Sequence, residues 1–126
     1  MKEYIAYSGL KFTVEWYYGI NGKSQAFEYF QNLDDDSQDS MINVFALMAE
    51  IGQIKNQTKF RNEGDGIYAF KSKSHRFLSF FFIGKKIIIS NAFAKKQNKL
   101  PVNEKMKSLK CKIDYEERIK QGIYYG

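Results

Sequence analysis

The first clear element of the chain is a strand in which apolar and polar residues alternate. In the segment from Lys11 to Tyr17 (KFTVEWY), Phe12, Val14 and Trp16 alternate with polar residues. This period of two predicts a β-strand with one buried face.

After this strand, the apolar residues recur at the spacing of an α-helix in two successive segments. Ala26, Phe27 and Phe30 share one helical face within KSQAFEYFQNL, which predicts a short first helix. The acidic run 34–36 favours the start of a second helix through the helix dipole, and Gly52 is a plausible C-terminal cap. The apolar face of that second helix is formed by Met41, Val44, Phe45, Met48 and Ile51.

Three strands and a last helix are predicted for the second half of the chain. The strands are Gly66 to Lys71, His75 to Ile83 and Lys86 to Phe93. The last two are joined by a hairpin turn at Gly84-Lys85, and Pro101 begins a helix that runs to about Lys120. We therefore expect one α+β domain, residues 1–126, built on an antiparallel sheet, in the order strand, two helices, three antiparallel strands and helix.

The hairpin turn also predicts which residues face each other across the sheet. A two-residue turn pairs Ile83 with Lys86, and it pairs Arg76 with Phe93 further along. Asn91, opposite Leu78, and Lys95 then lie on the same side of the sheet as Arg76. A turn with one residue more or less would move Asn91 and Lys95 to the other side.

Charge is separated along the chain, although the net charge is only +6. Residues 1–58 carry four Lys/Arg against eight Asp/Glu, whereas residues 59–112 carry fourteen against three. A basic half beside an acidic half indicates a face that binds a polyanion such as nucleic acid.

Composition narrows the classes of protein further. The single Cys111 and the single His75 cannot form a disulfide or a multi-histidine metal centre within this chain. The start, MKEYIAYSGLKF, has no apolar run typical of a signal peptide. The longest apolar stretch has seven residues, far below the roughly 20 of a membrane helix. We expect a cytoplasmic protein with no bound metal, no cofactor and no membrane partner.

Metal-free cleavage of RNA is the chemistry that the basic residues can support. RNA carries its own nucleophile, the 2′-hydroxyl, so the protein needs a base, an acid and cations that stabilise the phosphorane. His75 is suited to proton transfer near neutral pH, although a solvated histidine is the simpler alternative. Arg76 either holds a phosphate or pairs with an acid such as Glu104. The candidates are Arg61, Lys71, Lys73, His75, Arg76, Asn91, Lys95 and Lys96.

The stretch from Gly66 to Glu104 resembles the core of the RelE/HigB-like toxins of type II toxin–antitoxin systems, including their phage-derived, HigB-like relatives. The similar motifs are GIYAFK at 66–71, HRF at 75–77, NAFAKK at 91–96 and KLPVNE at 99–104. In those toxins the corresponding strands carry an arginine, a Tyr-Arg or His-Arg pair and a Lys-Lys pair. The resemblance therefore implies a small α+β domain of the RelE type.

The resemblance also implies an activity and a set of site residues. The activity is that of an endoribonuclease (an mRNA interferase) that cuts translated mRNA at the ribosome and is neutralised by a cognate antitoxin, commonly a helix-turn-helix protein. Arg76 matches the phosphate-stabilising arginine of the family, Lys71 takes the place of another arginine, and Asn91 stands where some members have a catalytic histidine. His75 is then a substitute for proton transfer. By the same resemblance Lys95 and Lys96 match the basic pair after the third strand, and we expect them to be catalytic cations. We also expect three further basic residues, Arg61, Lys73 and Lys99, to bind RNA.

Two other functions remain open on the same fold. One is a non-enzymatic toxin of the ParE type that binds a protein target such as DNA gyrase. The other is an inactive phage or plasmid relic that only binds its antitoxin. The aromatic side chain that would stack the cleaved base is also undecided, with Tyr115, Tyr124 and Tyr125 as candidates.

Overall fold

A computed structural model describes residues 2–126, which fold into six strands and three helices. In chain order these are β1 (Ile5–Ser8), β2 (Thr13–Trp16), α1 (Gln25–Gln31), α2 (Asp35–Ile51), β3 (Phe60–Asn62), β4 (Tyr68–Ser72), β5 (His75–Phe82), β6 (Lys86–Ala94) and α3 (Val102–Lys120). The predicted α+β class is confirmed, and every predicted element is present. The structure adds two short strands, β1 and β3, which the predicted order lacked.

The six strands form one mixed sheet in the order β1-β2-β6-β5-β4-β3. All neighbouring pairs are antiparallel except β2 and β6, which run parallel from Thr13–Lys86 to Trp16–Ile89. The expected antiparallel sheet is therefore corrected to a mixed one, because the chain between β2 and β6 brings these two strands together in the same direction. Both added strands lie at the edges of the sheet. They have only three or four residues and little apolar alternation, so the sequence carries weak signals for them.

The helix ends agree with the predicted capping residues. Asp34 caps α2, because its carboxylate accepts a hydrogen bond from the backbone N–H of Ser37 at 3.2 Å. Gly52 ends the same helix with φ +90°, a conformation that favours glycine. Helix α3 begins after Pro101, which provides no side-chain cap.

The sheet is covered on both faces, as its apolar central strands require. Helices α1 and α2 pack on one face against a core that includes Trp16, Phe45 and Phe77. Helix α3 and the segment after it cover the other face around Phe80 and Tyr115. We call these the α1/α2 face and the α3 face.

The predicted pairing of Arg76 with Phe93 and of Leu78 with Asn91 is confirmed. The predicted turn is nevertheless wrong, because Lys86 faces Phe82 and the connection contains three residues, 83–85. A register shift between Leu78 and Ser79 leaves Ser90 as an extra residue in β6. This bulge compensates for the longer turn, so the register at the far end of the hairpin is as predicted.

Candidate functional site

A cleft of about 560 Å³ opens on the α3 face, at the end of the sheet where β4 ends and β5 begins. Its walls are β3–β4, the segment 95–101 and the first three turns of α3, and Arg76 and Phe93 lie on the sheet between them. Seven cationic side chains line it: Arg61, Lys71, Arg76, Lys95, Lys96, Lys99 and Lys105. Within residues 2–126 only two carboxylates, Glu63 and Asp65, accompany them in the lining, so the cleft is strongly positive.

Arg76 is held by the backbone of the β4–β5 turn. Its Nη1 donates to the carbonyl oxygens of Lys73 at 3.0 Å and of His75 at 2.9 Å. No hydrogen bond joins its Nε or Nη2 to any residue in the described range 2–126. Arg76 forms no ion pair with Glu104, whose carboxylate accepts from Asn91 at 3.0 Å and lies 3.5 Å from Lys107 Nζ. The guanidinium therefore has a fixed position and can still donate two hydrogen bonds to a phosphate.

Lys71 lies directly across from Arg76, on β4. Its Nζ donates to the carbonyl of Gln57 at 3.1 Å. Burial is the main cause that lowers the pKa of Lys71, and the positive charge of Arg76 adds to it, with smaller effects from Arg61 and Lys95. Glu63 acts in the opposite direction on both cations, since its negative charge raises the pKa of Lys71 and of Arg76.

Lysines of the segment after β6 line a second wall of the cleft. The backbone N–H of Lys95 donates to the carbonyl of Ser74 at 2.6 Å, which extends the β5–β6 pairing by one residue. Lys95, Lys96 and Lys99 are exposed, so their ammonium groups can reach a bound anion. Six of the residues proposed from the sequence line this one cleft: Arg61, Lys71, Arg76, Lys95, Lys96 and Lys99.

Lys105 is a member of the cleft that was not among the candidates drawn from the sequence. Its Nζ forms an ion pair at 2.8 Å with Asp65, which lies in the β3–β4 turn with φ +56°. This pair fastens the turn to α3 and closes one side of the cleft. Lys105 is one turn after Pro101, but no local pattern indicates that the β3–β4 turn docks there.

The cleft also has an apolar side, formed by Ala69, Phe93, Leu100, Pro101, Val102, Met106 and Leu109. Phe93 is half-buried, and among the described residues that line the cleft it is the only aromatic one. The tyrosines expected as stacking candidates are elsewhere. Tyr115 and Tyr124 are buried in the core beneath α3, and the hydroxyl of Tyr125 donates to Glu15 at 2.6 Å.

His75 is on the opposite face of the sheet from Arg76, because successive side chains of a strand alternate. Its Nδ1 is 2.8 Å from the hydroxyl of Tyr29 in α1. Burial is the main cause that lowers the pKa of His75. The expectation that His75 takes over proton transfer beside Arg76 is therefore corrected, since the cleft does not include it.

Lys73 is also turned away from the cleft. It adopts φ +54° in the β4–β5 turn and forms an ion pair with Asp36 in the first turn of α2. The same ammonium is 3.3 Å from the hydroxyl of Ser37. Lys73 thus joins the turn to α2. The expectation that Lys73 lies with Arg76 and Lys95 in one basic site is therefore corrected.

Asn91 is on the α3 face, as predicted, but it is only 3% exposed and does not line the cleft. Its Nδ2 donates to the backbone carbonyl of Glu104 at 3.1 Å and to the Glu104 carboxylate at 3.0 Å. Its Oδ1 accepts from Ser90, whose hydroxyl is also 2.6 Å from that of Ser108. We call these four residues the Asn91 network. It fastens α3 to the β6 bulge, so the expected grouping of the Asn91 side chain with the cations of the cleft is corrected.

Neither a membrane span nor a metal cluster is found among residues 2–126. No helix there is long and apolar enough to cross a bilayer. No group of three or more His, Cys, Asp or Glu side chains is placed to hold a metal ion.

The fold and the cleft together define a small α+β protein with a basic site at one end of a mixed sheet. The family described as phage derived protein Gp49-like (DUF891) matches residues 28–111, about two thirds of the chain. The chain belongs to this family, which is associated with RelE-like toxins of toxin–antitoxin systems. None of the curated proteins compared with the chain matches it. The matched segment contains all the cleft residues, from Arg61 to Leu109.

Proposed function

We propose that this protein is the toxin of a type II toxin–antitoxin system, of the HigB-like branch, and that it is an endoribonuclease that cuts translated mRNA at the ribosome. The observation that carries the proposal is the convergence of seven cationic side chains around Arg76, in a cleft with two carboxylates. Family membership supports it, because RelE-type toxins are ribonucleases.

Arg76 is the residue proposed to stabilise the phosphorane. Attack of the 2′-hydroxyl adds negative charge to the phosphate, and preorganised cations stabilise that charge most effectively in a partly desolvated site. The Nη1 contacts with the β4–β5 turn fix the guanidinium before substrate binds, so its Nε and Nη2 can form a bidentate pair with two phosphate oxygens. Lys95 and Lys96 would hold the flanking phosphates.

Glu63 and Lys71 are the proposed proton acceptor and proton donor. The 2′-hydroxyl proton would pass to the Glu63 carboxylate, since the other carboxylate of the cleft, Asp65, is paired with Lys105. The lowered pKa of Lys71 makes its ammonium a better acid for the leaving 5′-oxygen. The P–O5′ bond breaks as the P–O2′ bond forms, and the products are a 2′,3′-cyclic phosphate and a free 5′-hydroxyl.

A cognate antitoxin is the proposed partner, and a helix-turn-helix protein is the expected kind. It would neutralise the toxin by covering the positive cleft or by preventing its entry into the ribosome. The charge of the cleft favours an antitoxin whose contact segment is acidic.

Induced expression in a bacterial host tests the proposal. Wild-type protein should arrest growth and produce mRNA cuts within translated regions, and Arg76→Ala should abolish both. Lys110→Ala is the matched control, since it removes an exposed lysine of α3 outside the cleft. A circular dichroism spectrum and a melting curve of purified Arg76→Ala protein would establish that it folds.

The other outcomes favour the alternative functions. Growth arrest without mRNA cuts would favour a protein target such as gyrase, and no growth arrest would favour an inactive relic. Cleavage of mRNA on purified ribosomes should survive addition of a chelator that does not dissociate the ribosomes. Loss of cleavage under that condition would contradict the metal-free mechanism.

A further inference from the structure

The β4–β5 turn, formed by Lys73 and Ser74, holds two cations of the cleft through its backbone. Arg76 Nη1 donates to the carbonyl oxygens of Lys73 and His75, at 3.0 and 2.9 Å. The carbonyl of Ser74, between them in the chain, accepts from the backbone N–H of Lys95 at 2.6 Å. Three consecutive carbonyls therefore fix the guanidinium of Arg76 and the start of the segment that carries Lys95.

The backbone conformation of this turn is unfavourable for its own sequence. Lys73 has φ +54°, which lies in the left-handed region that glycine adopts easily and that residues with a Cβ atom adopt at a cost. Contacts from outside the hairpin are therefore needed to keep the three carbonyls in place.

Two contacts on the α1/α2 face supply that support. Lys73 Nζ pairs with Asp36 in the first turn of α2, and His75 Nδ1 is 2.8 Å from the hydroxyl of Tyr29 in α1. The Tyr29 ring also packs against that of Phe77, with the ring centroids 5.6 Å apart. The turn is thus held by its side chains on one face of the sheet, while its carbonyls hold the cations of the other face.

We propose that Asp36 and Tyr29 are positioning residues, which fix the direction of the Arg76 guanidinium by holding the β4–β5 turn. The cleft lining, as described over residues 2–126, includes neither of them, so they act without touching the bound anion. Lys73 and His75 transmit this effect, although neither lies in the cleft. The inference rests on the proposed function in so far as that anion is a phosphate of RNA.

Positioning and charge predict opposite effects when Asp36 loses its carboxylate. Removal of a negative charge near a basic site strengthens anion binding if charge alone matters. If Asp36 holds the turn, its loss frees Arg76, and an anion must then order a long side chain when it binds. Asp36 and Lys73 are 81% and 42% exposed, so their pair contributes little to global stability. The Asp36→Asn variant should therefore fold, and the sign of its effect on binding separates the two mechanisms.

NMR relaxation of the arginine Nε–Hε groups measures the order of each guanidinium with no ligand present. The chain has three arginines, Arg61, Arg76 and Arg118, so only three signals need assignment. In wild-type protein Arg76 should have an order parameter of about 0.85, the value of a rigid group. Arg118 is the internal reference, because Asp114 and the backbone carbonyl of Tyr18 hold it far from the turn.

Asp36→Asn and Tyr29→Phe should each lower the order parameter of Arg76, and the double variant should bring it below about 0.6. The order parameter of Arg118 should not change. Asp36→Glu keeps the carboxylate and should restore the order of Arg76. Asp35→Asn is the matched control, since it removes the same charge from an exposed neighbour in the same helical turn. Melting curves show whether each variant is folded.

Anion affinity is measured with a fluorescent single-stranded 2′-deoxy hexanucleotide, which lacks the attacking hydroxyl. Fluorescence anisotropy gives its Kd for wild type and for each variant. We expect Asp36→Asn to weaken binding by about 2- to 12-fold, the cost of ordering one long side chain. Asp35→Asn should not weaken binding.

Three results would overturn the positioning role. They are an unchanged order parameter of Arg76 in both single variants, an equal fall for Arg118, and unchanged or tighter binding of the hexanucleotide by Asp36→Asn. Cleavage of cellular mRNA by the wild type is measured separately. A fall confined to Arg76 with no mRNA cuts would keep the positioning role and reject the nuclease, whereas cuts with no change at Arg76 would do the reverse.

Discussion

Replacement of Asn91 by aspartate places a second carboxylate in the Asn91 network. The side chain keeps its size but loses both hydrogen bonds that Nδ2 donates to Glu104, at 3.1 and 3.0 Å. The new carboxylate faces that of Glu104 in a site where residue 91 is 3% exposed. We expect a large loss of stability at neutral pH and little loss in acid.

The size of the loss follows from two independent arguments. Two unit charges about 4 Å apart repel by about 4 kcal/mol at an effective dielectric constant of about 20. The pair can avoid this repulsion if one carboxyl is protonated. At pH 7, about three pH units above an ordinary carboxyl pKa near 4, protonation costs about 1.4 kcal/mol for each unit, which is again about 4 kcal/mol. A loss of about 4 kcal/mol lowers the Tm of a domain of this size by about 15 °C.

The sign of the pH dependence is opposite to that of an ordinary salt-bridged carboxylate. In the Asn91→Asp variant the folded state raises the pKa of the carboxyl pair, so the folded state binds more protons than the unfolded state. The variant should therefore approach wild-type stability near pH 4 and lose stability progressively as the pH rises. Urea unfolding followed by circular dichroism, at pH 4 and at pH 7, measures both limits.

Asn103→Asp is the matched control, because Asn103 is exposed in the first turn of α3. It adds the same charge near a helix N-terminus, where an acidic residue is neutral to slightly stabilising. An Asn91→Asp variant as stable as wild type at pH 7 would refute the buried contact with Glu104. An equal loss at both pH values would attribute the effect to packing and refute the electrostatic argument.

Three further predictions follow from other contacts. Gly9→Ala should destabilise the fold by about 1–3 kcal/mol in urea unfolding, because its Cβ would lie 2.5 Å from the backbone oxygen of Ala49; a neutral result would contradict this close approach. His75 has its pKa lowered from 6.5, so its contribution to stability is present above pH 6.5 and is lost as the pH falls. Because it is the single histidine, His75→Gln should flatten the melting temperature measured between pH 5 and 7, and an unchanged slope would refute that. Lys96→Ala should reduce the slope of log Kd against log salt for a single-stranded oligonucleotide by about 0.7, the value for one phosphate contact, whereas Lys110→Ala should leave the slope unchanged.

The parts of the fold that could be predicted from sequence are those with strong periodicity and clear end signals. Helix α2 has an apolar face and ends at Gly52, and α3 starts immediately after Pro101. The edge strands β1 and β3 could not be predicted because pairing with a neighbour defines them, rather than an apolar pattern. The predicted register of β5 and β6 at Arg76 and Phe93 is correct although two features were missed. The real turn is one residue longer than predicted, and the bulge at Ser90 shifts the pairing back by one residue.

The sequence indicated which basic residues belong to the candidate site. It was less informative about the face of the sheet on which a side chain lies and about how deeply that side chain is buried. Six basic residues converge because they lie on adjacent strands and the following loop: Arg61, Lys71, Arg76, Lys95, Lys96 and Lys99. Strand alternation could have separated His75 from Arg76 on sequence grounds, since they are consecutive residues. The burial of Asn91 could not be predicted, because it depends on how α3 docks over the bulge.

The parallel pairing of β2 with β6 makes the folding of this chain strongly non-local. Thr13 pairs with Lys86 and Trp16 with Ile89, so more than half of the chain must be present before the sheet can close. Bringing such distant segments together has an entropic cost that slows folding. During synthesis the β1–β2 hairpin and helices α1 and α2 therefore emerge before β6, the strand that pairs with β2. Until β6 is available, their apolar faces are incompletely covered. A nascent chain of this protein should depend on chaperones until residues 86–94 have emerged, and the cleft, which includes residues up to 109, is assembled later still.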